Sequence, residues 1–181
     1  MNAIITILLI VAGIIALLLV IALFMKREHY VRREIIIDAP RQKVFDYLKL
    51  LKNQDEFNKH AMAGPDRKRE FKGTDGTVGY IYAWSGDKNA GVGEKEIKNI
   101  IEGKRIETEI RFIKPMAVTA SVIMETESLS GPNGYRDQTK VYWSNTGTLK
   151  YPVNIMIPMM EKSVAKDMDI SLSALKNILE K

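Results

Sequence analysis

From Ala3 to Met25 the chain carries no charged side chain, and Lys26-Arg27 follow at once. Only Thr6 and Gly13 interrupt the run of Ile, Leu, Val, Ala, Phe and Met. About 20 such residues in a helix cover the hydrocarbon core of a bilayer. In lipid every backbone polar group needs an internal partner, so a helix is the form this segment should take. Buried core helices rarely run apolar on all faces for so long. A cleaved signal peptide is the rival reading, and it requires a basic n-region, a shorter apolar stretch and a small-x-small cleavage site. Here only Met1-Asn2 precede the run, and Phe24-Met25-Lys26-Arg27-Glu28 closes it without Ala-x-Ala. With no cysteine, a lipidated-cysteine anchor is excluded. The expectation is an uncleaved single-pass helix, membrane contact through residues 3–25, an anchor at residues 1–27 and one domain at residues 28–181.

Lys26, Arg27, Arg32 and Arg33 flank the C-terminal side of the run, against only the α-amino group on the other. The positive-inside rule then places the domain on the cytoplasmic side, and Glu28 and Glu34 count little in that rule. All 27 basic and 22 acidic residues fall after the run, for a net charge of +5. The basic clusters Arg32-Arg33 and Arg67-Lys68-Arg69 are interleaved with acids, which suits a solvated face near anionic headgroups. No dense basic stripe or nucleic-acid motif occurs, so a nucleic-acid partner is not expected.

Tyr30 to Asp38 is rich in β-branched residues and stops at Ala39-Pro40, which predicts a strand. A helix follows, with Asp38 or Ala39 near its cap, Pro40 at its first position, and Val44, Tyr47, Leu48 and Leu51 at helical spacing. A second short helix is expected from Gln54 to His60, broken by Ala63-Gly64-Pro65-Asp66. The period then changes to two. Strands are expected at Arg67–Gly73, Val78–Ser85, Gly91–Ile101, Lys104–Phe112, Ala117–Glu127 and Gln138–Gly147. Turns fall at Thr74-Asp75-Gly76, Gly86-Asp87-Lys88-Asn89, Glu102-Gly103 and Ser130-Gly131-Pro132-Asn133-Gly134. In the fourth of these strands Ile106, Thr108, Ile110 and Phe112 alternate with Glu107, Glu109 and Arg111, so one face is buried and one is wet. Met160, Val164, Met168, Leu172, Leu175 and Leu179 form one stripe of a long closing helix that starts near Asn154 or Pro158. The fold class is α+β: a curved antiparallel sheet of about seven strands must cover its concave face, and only the C-terminal helix is long enough to do so.

Four segments resemble the START-like (SRPBCC) superfamily, the helix-grip fold that includes polyketide cyclase/dehydrase-like proteins. They are Ile37-Asp38-Ala39-Pro40-Arg41-Gln42-Lys43-Val44-Phe45, Val78-Gly79-Tyr80-Ile81-Tyr82-Ala83-Trp84-Ser85-Gly86, Thr139-Lys140-Val141-Tyr142-Trp143 and Leu172-Ser173-Ala174-Leu175-Lys176-Asn177-Ile178-Leu179-Glu180. The resemblance implies a cavity for an apolar ligand and implies no particular reaction. One departure is Asn53-Gln54-Asp55-Glu56-Phe57, where many relatives carry a Trp.

Chemistry-bearing motifs are sparse. Zero cysteines leave no thiol nucleophile and no thiolate metal site, and His29 and His60 are too few for a histidine-rich one. Gly91-x-Gly93 precedes a strand and lacks a third glycine, so it is no dinucleotide fingerprint. No catalytic residue, cofactor or metal is assigned. His60 with Asp55 or Glu56 is the one acid-base pair worth noting, with Glu94 and Tyr82 as further candidates. Tyr80, Tyr82 and Trp84 alternate on one strand face. With Ile110, Phe112, Val122, Met124, Trp143, Met160, Val164 and Met168 they make the candidate ligand-binding set, because aromatics and methionines offer large, adaptable apolar area. The preferred function is a membrane-tethered domain that binds or carries a hydrophobic small molecule or lipid in a cavity between sheet and C-terminal helix. A polyketide cyclase/dehydratase-like enzyme and a ligand-free protein-interaction module are the alternatives.

Overall fold

The computed structural model describes residues 2–62, 67–86, 91–130 and 137–181. The apolar run forms helix α1 (Ala3–Phe24), which is long and apolar enough to cross a membrane. Ala22 is its one buried residue. Strand β1 (Glu28–Ile37) follows, then α2 (Arg41–Lys49) and two single-turn helices, α3 (Gln54–Phe57) and α4 (Lys59–Met62). The expected break at residues 63–66 lies outside the described residues. Six strands come next: β2 (Lys68–Lys72), β3 (Ile81–Ser85), β4 (Val92–Ile101), β5 (Arg105–Lys114), β6 (Val118–Ser130) and β7 (Asp137–Thr148). The turn residues 87–90 and 131–136 also fall outside the described set. A 3-10 turn (Val153–Met156) leads into α5 (Ile157–Leu179), with Pro158 in its first turn, where a missing N–H costs nothing.

All seven strands pair antiparallel in the order β1-β7-β6-β5-β4-β3-β2, forming the curved sheet. Most boundaries agree with the sequence to within three residues. β3 starts later than expected because Gly79 takes φ +85°, a left-handed conformation that interrupts extended backbone. Pro40 caps α2 rather than occupying its first turn.

The main core lies between α2, α5 and β1, β5, β6 and β7. Ile37, Val44, Phe45, Leu48, Phe57, Val122, Met124, Val141, Trp143, Met168, Leu172, Leu175 and Leu179 are all buried in it. A second cluster of Leu51, Tyr80, Tyr82 and Ile97 sits beside it, under β3 and β4.

The end of α1 is tied to the domain. Asn154, fully buried, donates its Nδ2–H to the carbonyls of Ala22 (2.7 Å) and Met25 (3.2 Å), which have no partner inside the helix. The Leu149 amide donates to Arg27 O at 2.8 Å. Lys26 pairs with Glu161 at 2.7 Å, and Glu161 also accepts from the Tyr30 amide. These contacts lower the Glu161 carboxyl below its usual range, chiefly through Lys26.

The Asn154→Ala chain should therefore unfold about 1–3 kcal/mol more easily, because two buried carbonyls lose their donor. Urea midpoints of the two chains measure this. An unchanged midpoint would show that the tie is not structural.

Candidate functional site

Strand register fixes where the site lies. His29 faces Gly147, Gly147 faces Ala120, Ala120 faces Ile110, Ile110 faces Lys95, Lys95 faces Tyr82 and Tyr82 faces Phe71. That row crosses the whole sheet. On the α1 side of it lie the start of β1, the end of β5, the start of β4 and the end of β3. The β5–β6 hairpin and the root of α1 are thus at one end of the sheet.

A cavity of about 260 Å³ opens from this row toward that end. Leu51, Gln54, Ala61, Tyr82 and Lys95 are buried and form its closed end. Phe112, Lys114, Pro115 and His60 are exposed and form its mouth. One wall is aromatic. Trp84 meets Phe112 edge-on at 5.9 Å between centroids and stands 6.2 Å from Tyr82, which in turn meets Phe71 at 5.4 Å. Trp84 can lie there because its neighbour is Gly93. A Cβ at Gly93 would come within 2.6 Å of the indole and 2.8 Å of Arg111 O.

The opposite wall comes from α3 and is polar. Asp55 Oδ1 and Oδ2 accept the Tyr82 hydroxyl at 2.8 and 2.7 Å. Arg67 and Arg69 bind the same carboxylate at 2.5 and 3.0 Å. Both guanidinium groups also donate to the Tyr82 oxygen. Burial, then the hydrogen bond to Asp55, raises the Tyr82 phenol above its usual range. The cluster pins α3 to the sheet across the cavity.

Lys95 is the second polar feature. It is 7% exposed, and its ammonium donates to Gln54 Oε1, its one hydrogen-bond acceptor among the described residues. Gln54 is positioned in turn by donating Nε2–H to Leu48 O at 3.2 Å. Burial in this apolar setting pushes the Lys95 ammonium down from 10.5 to about 8.

Of the residues expected at a site, Tyr82, Trp84, Ile110 and Phe112 line this cavity. Tyr80 lies in the second cluster, buried, with its hydroxyl unpartnered among the described residues and raised to about 12 by burial. Val122, Met124, Trp143 and Met168 are packed in the main core, with Val164 against it and Met160 half-buried on α5. No lining residue comes from α5, so the cavity lies under α3 and α4 rather than between the sheet and the C-terminal helix. The α5 stripe is consumed by the core instead. Gln54, Lys95 and Arg67 line the cavity, although the sequence places none of them in the candidate site. Lys95 shares strand parity with buried Ile97, and that was the available signal.

The candidate acid-base pairs of His60 with Asp55 or Glu56 do not form. His60 Nε2 contacts Asp167 Oδ2 of α5 at 3.1 Å, Asp55 is held by the two arginines, and Glu56 accepts from Tyr47 at 2.8 Å. Glu94 faces the opposite side of the sheet, paired with Arg111 at 2.6 Å. The basic cluster at 67–69 is likewise not wholly a solvated face, since Arg67 is buried on Asp55.

The sequence matches no family model and no curated protein. Solved structures do resemble the fold. Protein CV1439 from Chromobacterium violaceum is 14% identical, with 84% of this chain and 98% of that one covered at a TM-score of 0.59. Hypothetical protein jhp0584 from Helicobacter pylori is 10% identical over 83% and 88%, at 0.61. Ara h 8.0201 is 17% identical over 82% and 98%, at 0.51. These likenesses establish a helix-grip fold.

Lys95 gives the site a pH signature. Its folded-state value, about 8, lies below the unfolded 10.5, so between those values the unfolded chain holds a proton that the folded chain has shed. Stability contributed at this position therefore rises with pH over that window. Relative to Lys95→Met, the wild-type chain should gain about 2 kcal/mol from pH 7 to pH 10. Urea unfolding of both chains at the two pH values reads the difference directly, and a gap that does not change with pH would contradict it.

Proposed function

We propose that this chain is a membrane-tethered domain that binds or carries a hydrophobic small molecule or lipid in the cavity under α3 and α4. The observation that carries this reading is the position of the cavity mouth. It opens at the end of the sheet from which α1 emerges, and the hairpin beside it is apolar and exposed: Phe112 at 43%, Ile113 at 54% and Met116 at 44%. Apolar residues left in water at a cavity mouth mark a surface that meets lipid or ligand. Lys114 on the same hairpin and Lys26-Arg27 at the root of α1 suit anionic headgroups. A tether of this kind raises the concentration of the cavity near a ligand dissolved in the bilayer. The basic flank of α1 favours the cytoplasmic side.

The two alternatives have less support. For a cyclase or dehydratase, Asp55 and the Tyr82 proton are already committed to each other and to two arginines. For a ligand-free interaction module, the exposed apolar hairpin would have to serve a partner while sitting on the rim of a cavity.

Native mass spectrometry of the full-length chain released from its own membranes tests the reading. One small amphiphile should stay bound to the wild-type chain and be absent from Ile110→Trp, which fills the cavity from its wall. The substitution should change the melting temperature little, whereas overpacking of a filled core costs about 1–3 kcal/mol. A bare mass for the wild-type chain, or an Ile110→Trp chain that unfolds, would remove the basis for a binding site here.

A further inference from the structure

The charges on the cavity wall do not balance. Among the described residues Asp55 is its one carboxylate, against Arg67, Lys95 and Lys114. Asp55 is moreover occupied, bound by Arg67 and Arg69 and by the Tyr82 hydroxyl. Lys95 feels the Asp55 charge through space, but among the described residues it hydrogen-bonds a neutral group, Gln54 Oε1, although an ammonium carries three donors. Buried ions are ordinarily paired, because an ion removed from water without a counter-charge is costly. Lys95 sits at the closed end of the cavity, while Trp84, Ile110 and Phe112 line the way to the mouth. The cavity thus has a cationic floor and an apolar shaft.

We propose that the ligand is a single-chain amphiphile with a monoanionic head, a carboxylate in the simplest case, whose head pairs with Lys95 Nζ and whose tail runs past Ile110 and Trp84 to the mouth. This rests on the reading of the cavity as a hydrophobic-ligand site and adds the head-group chemistry. Size supports one chain over two. At about 260 Å³ the cavity lies just below the usual range of small-molecule sites, too small for a two-chain phospholipid. Polarity supports the direction of entry. A head at the floor and a tail at the mouth leave the tail pointing toward the end of the sheet where α1 emerges. Charge supports a monoanion, since among the described residues Lys95 makes no ion pair, and the Asp55 carboxylate that acts on it through space is bound by Arg67 and Arg69.

The test is a titration of the full-length chain in lipid nanodiscs with decanoate, methyl decanoate and decylamine. Emission of Trp84 is the readout, and the Trp84→Phe chain is the blank for Trp143 and for partition into lipid. Decanoate should bind roughly tenfold or more tightly than either analogue, as a charge-assisted hydrogen bond in a dry site requires. Lys95→Met should bind decanoate and its methyl ester alike. Gln54→Glu, which supplies Lys95 with an internal carboxylate, should also lose the preference for decanoate while still binding the ester. Equal affinity of the wild-type chain for all three compounds would overturn the head-group assignment and leave the apolar cavity standing, as would an undiminished decanoate preference in Lys95→Met. Failure of all three compounds to bind would overturn the binding-site reading itself.

Discussion

Antiparallel register is the constraint on which the rest of this structure depends. One row of facing residues runs from His29, beside the root of α1, through Ile110 and Lys95 to Tyr82. A shift of one residue in any of these pairings would turn the inward side chains out, so burial of one face holds the register. The row assigns the open end of the cavity and the root of α1 to the same end of the sheet. It also separates two jobs on one sheet. β1, β6 and β7 carry the core under α2 and α5, β3 and β4 carry the cavity under α3 and α4, and β5 serves both, with Ile106 in the core and Ile110 and Phe112 on the cavity wall.

That division is visible in the chemistry of each half. The core half is filled by Leu, Ile, Val, Phe and Met side chains, with α5 laid against it. The cavity half keeps polar groups that a core would exclude. Asp55, Arg67 and Tyr82 bind one another across it, and Lys95 is held in place at a cost to stability near neutral pH. Side chains that break local rules without an internal gain belong, as a rule, to sites. Gly93 serves the same end by conformation rather than charge: its missing Cβ is the space that the Trp84 indole occupies.

Most of the architecture could be read in the sequence, because it follows from local periodicity. The alternation at Ile106, Thr108 and Ile110 marks an inward face, and the stripe from Met160 to Leu179 marks a helix that packs on a sheet. What that stripe packs against is non-local, and periodicity does not distinguish a core-facing stripe from a cavity-facing one. For that reason the sequence groups Met168 and Trp143 with Trp84 and Phe112, though they lie in the main core. Lys95 carries one local signal, its parity with Ile97, which places it inward. The polar wall depends on pairs far apart in the chain, Asp55 with Arg67 and Tyr82, and His60 with Asp167, which no spacing rule predicts. The segment where the chain departs from its resemblance, Asn53 to Phe57, is the one that supplies Gln54 and Asp55 to the cavity.

A cavity that exchanges its ligand with a bilayer must have its mouth at the bilayer, and the absence of cysteine from the chain makes that depth directly measurable. Single nitroxide labels at Ile113→Cys and Met116→Cys on the β5–β6 hairpin, and at Lys104→Cys on the β4–β5 hairpin at the opposite end, report collision with oxygen dissolved in lipid or with a water-soluble relaxant. In full-length chain reconstituted into vesicles, the labels at 113 and 116 should sit at headgroup depth or below, and the label at 104 in water. Labels at 113 and 116 as accessible to the aqueous relaxant as the one at 104 would contradict loading from the membrane.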